Sequence, residues 1–130
     1  MGGIFVISAM EHDEFARLVA KAIENLPQEF LDRLENVDVV VEDYPTSEQL
    51  EESGLEHDTT LLGLYEGVPQ TERTSGYGMV LPDKITLFQK PIEAKCRSVG
   101  EVYPEVKRTL RHEVAHHFGI SDESLRKLEG

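Results

Sequence analysis

The run Arg111-His112-Glu113-Val114-Ala115-His116-His117-Phe118-Gly119-Ile120-Ser121-Asp122 restricts the fold more than any other part of the chain. It reads H-E-x-x-H-x-x-G-x-x-D. His112 and His116 can meet one ion only if the segment is helical, because residues four apart on a helix lie one turn up and about 40° round. Glu113 then stands beside the pair, where its carboxylate can take a proton from a water activated by the metal. Gly119 lets the chain leave the helix through a left-handed residue. Three residues on, Asp122 can turn back and add a carboxylate to the two imidazoles. Two histidines and one carboxylate leave a fourth tetrahedral position open, which separates catalytic from structural zinc. The donor set also suits manganese, iron or cobalt. Zinc, one ion per chain, is the expected cofactor.

A bare H-E-x-x-H arises by chance in unrelated chains, but Gly119 and Asp122 add two positions with separate geometric reasons. The pattern resembles the zincin metallopeptidases, whose metzincin branch carries a third histidine where Asp122 stands here. More closely, the chain resembles the bacterial zincin-like family of minimal metallopeptidase domains. Besides the metal motif, that resemblance rests on Leu62-Gly63-Leu64-Tyr65-Glu66-Gly67, on Leu81-Pro82-Asp83-Lys84-Ile85-Thr86-Leu87, and on the final stretch through Gly119-Ile120-Ser121-Asp122-Glu123. It implies a small α+β domain, with a short mixed sheet of three to four strands packed on an N-terminal helix and a long metal-bearing helix. It also implies a zinc-dependent peptidase acting on peptides or unfolded polypeptide laid along an edge strand, for which Asp83 to Gln89 is the candidate. The metzincin Met turn has no counterpart after Asp122, where no methionine follows. The anionic Asp122 should also acidify a metal-activated water less than a neutral third histidine would.

Length and charge narrow the alternatives. At 130 residues the chain is expected to form one domain over residues 1–130. No segment approaches the ~20 apolar residues of a membrane span. Residues 1–7 have no cationic flank and too short an apolar run for a signal peptide. A net charge of −12 argues against nucleic acid and against anionic membranes, both of which call for clustered Lys and Arg. The single cysteine, Cys96, excludes an internal disulfide and suits a cytoplasmic location. It reads as a small packed hydrophobe.

Ser8 followed by Glu11 predicts a capped helix start, with Phe15, Leu18, Val19, Ala22, Ile23 and Leu26 forming its apolar stripe. Pro27 opens a second segment that turns Phe30, Leu31 and Leu34 inward. Strands are expected over Val37–Tyr44, Thr59–Tyr65 and Asp83–Gln89. A short acidic helix over Thr46–Ser53 should close at Gly54. The long helix should run from about Glu101 to Phe118, with Val106, Leu110 and Val114 on one face and His112 and His116 on the other. A last short helix is expected over Asp122–Leu128.

Several residues carry two readings. Asp122 also suits the N-cap of that last helix, and Glu123 is then the substitute carboxylate. His117 should point about 100° away from His116 and read as a neighbour of the site or as exposed. Tyr65, Tyr77 and Tyr103 are candidates to stabilise an oxyanion, with core packing the default for Tyr65. The segment around Gly76-Tyr77-Gly78 is long enough for a rim or lid. His12 and His57 lie in acidic surroundings and read as solvated. The alternative to a peptidase is a metal-stabilised binding module without turnover. A metal-free acidic interaction domain requires the whole motif to be coincidence.

Overall fold

The computed structural model describes residues 10–54, 61–67 and 82–119. Helix α1 spans His12–Glu24 and buries Phe15, Val19 and Ala22, with Leu18 and Ile23 partly covered. Its start differs from the expected capping box. Met10 and Glu11 precede the helix, Glu11 is the N-cap, and no side chain caps it. Ser8 lies outside the described residues. Helix α2 covers Gln28–Arg33 behind Pro27, whose fixed φ of −57° prepares the turn.

Strand β1 is Val37–Glu42, β2 is Gly63–Glu66 and β3 is Asp83–Phe88. They form a mixed sheet in the order β1-β3-β2, with β3 parallel to β1 and antiparallel to β2. The sequence of β3 shows why it is central. Ile85, Leu87 and Phe88 are apolar and sit at zero exposure together with Thr86, so both faces are covered. This corrects the expected edge role of Asp83 to Gln89: β3 is paired on both sides, and no substrate strand can be added to it. The strand also ends at Phe88, and Gln89–Lys95 forms helix α4. Pro91 is the third residue of α4, where its missing N–H has no intrahelical acceptor to lose.

Helix α3, Ser47–Ser53, appears as expected. Thr46 and Gln49 form a reciprocal capping box with bonds of 2.9 and 3.0 Å, and Gly54 closes the helix at φ 75°. A 3₁₀ turn at Val99–Glu101 leads into helix α5, Val102–Phe118, which ends at Gly119 with φ 70°. Val102, Val106, Leu110 and Val114 are fully buried against Phe15, Phe30, Ile85, Leu87 and Ile92. Each such side chain contributes roughly 1.5–3 kcal/mol of hydrophobic stabilisation. That burial presses the apolar face of α5 into the core and leaves the opposite face toward solvent. The helix expected over Asp122–Leu128 and the Gly76-Tyr77-Gly78 segment lie outside the described residues.

Candidate active site

The solvent face of α5 and the outer edge of β2 enclose a cleft of about 790 Å³, within the usual range of about 300–1,000 Å³ for ligand sites. His112, Glu113 and His116 line it together with Gly63, Leu64 and Tyr65. His112 and His116 are exposed, and Glu113 is half-buried between helix and strand. Opposite the motif, α5 offers Val102, Val106, Leu110 and Val114 to the core. The two imidazoles therefore face the cleft because the helix has no other way to bury its hydrophobic stripe.

Glu113 reaches the sheet. Its Oε1 accepts a bond of 3.1 Å from the Tyr65 main-chain N–H. That donor is available because of strand alternation. Phe88 N–H donates to Leu62 O at 2.9 Å, so the Leu62–Phe88 pair is of the hydrogen-bonded kind. Alternation then turns the main-chain groups of Gly63 and Tyr65 away from β3 toward the cleft. Burial pushes the Glu113 carboxyl above its ordinary range. The Tyr65 N–H and the nearby His112 and His116 act in the opposite direction without cancelling the shift. A carboxyl raised in this way is better matched to taking and returning a proton near neutrality.

Gly63 sets the spacing between strand and helix. A Cβ at this position would lie 2.9 Å from Thr109 Cγ2 and 3.2 Å from Leu87 Cδ2. An isolated glycine in a strand marks such a close approach, and that was the available sequence signal for β2 as the strand beside the helix. No sequence signal pointed to the Tyr65 amide itself.

The remaining candidates separate. Tyr65 O–H donates to Asp83 Oδ2 at 2.7 Å, and its ring stacks on His117 at 3.7 Å between centroids. His117 therefore sits against the site, as one of its two readings had it. Tyr103 does not reach the cleft: its hydroxyl accepts from Asn25 Nδ2 at 3.0 Å, and the Lys21 and Lys107 ammonium groups sit over its ring. That contact with the end of α1 takes it out of the oxyanion candidates. Tyr77, His57, Asp122 and Glu123 lie outside the described residues, and His12 is exposed. Cys96 is partly buried, and its Sγ–H donates to Ile92 O at 3.3 Å. Burial, then Glu105 and Glu101, push its thiol pKa up, as expected of a packed rather than reactive cysteine.

Among the described residues no group of three His, Cys, Asp or Glu side chains converges on one point. What they supply is two nitrogen donors one turn apart on a cleft wall, with a carboxylate beside them. Those groups could supply part of a divalent-ion site. No helix among the described residues is long and apolar enough to cross a membrane.

Comparisons with known proteins agree with this layout. No curated protein matches the chain. A solved structure of a conserved hypothetical protein from Thermus thermophilus is similar, with 27% identity and a TM-score of 0.53 over 90% of this chain and 98% of that one. A family model described as zincin-like metallopeptidase matches residues 34–130, which include β2, β3, all of α5 and the stretch beyond it. With the two histidines and Glu113 facing the cleft beside an antiparallel edge strand, that match makes the chain a member of the zincin-like metallopeptidase family.

Proposed function

We propose that the protein is a zinc-dependent peptidase in which Glu113 is the general base and His112, His116 and Asp122 hold the ion. The observation that carries this reading is the bond from the Tyr65 amide to Glu113, which sets the base at the edge of the sheet beside the two cleft-facing histidines. Zinc, when bound, polarises a scissile carbonyl and lowers the pKa of a coordinated water.

The chain's own residues would do the rest. Strand β2 turns the main-chain groups of Gly63 toward the cleft, where an extended peptide can pair with them, while the Tyr65 N–H stays on Glu113. Gly63 lies against Thr109, and Tyr65 lies against Glu113 and His117, so β2 and α5 run in the same sense past the cleft. A peptide antiparallel to β2 therefore points its C-terminal residues toward Gly63 and Thr109. Glu113 takes the proton of the attacking water as the new C–O bond forms. It returns that proton to the leaving nitrogen as the C–N bond breaks. The cleft is bounded on one side by a strand of four residues, which suits short peptides or unfolded segments bound weakly.

The test is Glu113→Gln. Peptide cleavage by the wild-type chain that disappears in the variant, with zinc content unchanged, supports the peptidase. Unchanged metal content with no cleavage of any peptide by either form turns the reading to a metal-stabilised binding module.

A further inference from the structure

We propose that Tyr65 is a positioning residue for Glu113, acting through its main-chain amide, and that its side chain exists to hold that amide in place. The inference rests on the peptidase reading for its catalytic consequence and on geometry alone for its structural one. Three independent contacts converge on this one residue. Its N–H holds Glu113 Oε1 at 3.1 Å. Its hydroxyl donates to Asp83 Oδ2 at 2.7 Å, which pins the ring to the first residue of the central strand. Its ring is stacked almost flat on His117, 3.7 Å between centroids and 13° between planes, and meets the edge of Phe118 at 5.9 Å.

An edge strand of four residues is the part of a sheet most free to move, because pairing restrains it on one side only. Among the described residues β2 pairs with β3 alone, and its outward side carries the donor to Glu113. The Tyr65 ring is clasped by the last turn of the same helix that bears Glu113, and the phenol is tied to β3. The distance from strand to helix at Glu113 is thereby fixed from both ends, with the Gly63 contact on Thr109 closing the other end of the strand. Removing the side chain should leave the amide in the chain yet let it drift from the carboxylate.

The experiment measures amide hydrogen exchange by NMR on the full chain, together with turnover of a fluorogenic peptide by the zinc-supplied protein. The variants are Tyr65→Ala, Tyr65→Phe, His117→Ala and Glu113→Ala. Loss of the acceptor in Glu113→Ala should speed exchange of the residue-65 amide roughly 10-fold or more. Tyr65→Ala and His117→Ala should do the same while the amides of Ile85 and Leu87 stay protected. In both, kcat should fall about 10–100-fold with KM and zinc affinity little changed, because a displaced base costs the chemical step alone. Tyr65→Phe keeps the ring stack but loses the tie to Asp83, so it should fall between wild type and Tyr65→Ala in both signals. Unchanged exchange at residue 65 in Tyr65→Ala and His117→Ala overturns the proposal. So does a loss of turnover that only follows the loss of folded protein. His117→Ala keeps the test decisive if Tyr65→Ala does not fold. The exchange measurement needs neither zinc nor substrate, so it still decides the structural part if no peptide is ever cleaved.

Discussion

Gly63→Ala probes the junction between strand and helix on which the site depends. The new Cβ would stand 2.9 Å from Thr109 Cγ2, whereas carbon atoms in contact prefer about 3.5–4.0 Å. Strand and helix must therefore separate by roughly 0.6–1.1 Å, or Thr109 must yield. Thr109 is buried on α5 and has little room to do so. Leu87 Cδ2, at 3.2 Å, is the flexible end of a side chain and can adjust more easily. Overpacking of this kind costs about 1–3 kcal/mol. Thr109→Ser removes the obstructing methyl, keeps the hydroxyl, and alone costs about 1 kcal/mol for the lost buried group. Urea unfolding is the assay. With an m-value of about 2 kcal/mol/M, Gly63→Ala should lower the midpoint by ~0.5–1.5 M. The double variant should be no less stable than Gly63→Ala alone, a departure from additivity of about 1 kcal/mol or more. An unchanged midpoint in Gly63→Ala, or strictly additive losses in the double variant, would refute the close-packing argument.

Glu113→Gln keeps an oxygen to accept the Tyr65 bond and removes a carboxylate whose pKa is raised by burial. A raised carboxyl binds its proton more tightly when folded, so its contribution favours the wild-type fold at low pH. That contribution is lost as pH rises from the ordinary carboxylate value through the raised one. The metal-free variant should therefore gain stability relative to wild type across that window and hold a constant advantage above it; urea midpoints at acid and neutral pH read this directly, and an advantage that shrinks with rising pH contradicts it. Leu110→Ala empties a fully buried position on the core face of α5 and should cost about 2–5 kcal/mol in the same assay. Gly119→Ala meets no atom of the described residues within 4 Å, so the cost read from them is that of a side chain at φ 70°, about 1–2 kcal/mol; a neutral substitution there would mean that the helix end relaxes freely.

The long helix and its two faces were legible in the sequence because both signals are local. Val106, Leu110 and Val114 recur at helical spacing, and Gly119 marks the stop. The Thr46–Gln49 box and Gly54 were legible for the same reason. What failed depended on partners distant in sequence or on a local residue with two meanings. Strand β3 passes for an edge in the sequence, although Ile85, Thr86, Leu87 and Phe88 are all covered, because its neighbours β1 and β2 lie far along the chain from it. Helix α4 was hidden by Pro91, which reads as a strand terminator yet is tolerated in a first helical turn. The Tyr65 amide was invisible because a main-chain donor has no letter of its own. Only the glycine two residues before it carried a trace of the close approach.

The most direct test of the central claim is zinc content by mass spectrometry on protein purified without a histidine tag, with Asp122→Ala measured alongside. About one zinc per chain in the wild type, lost or weakened in the variant, is the result expected of a His112, His116 and Asp122 site. No zinc, even after zinc is supplied, would contradict both the metal site and the peptidase built on it.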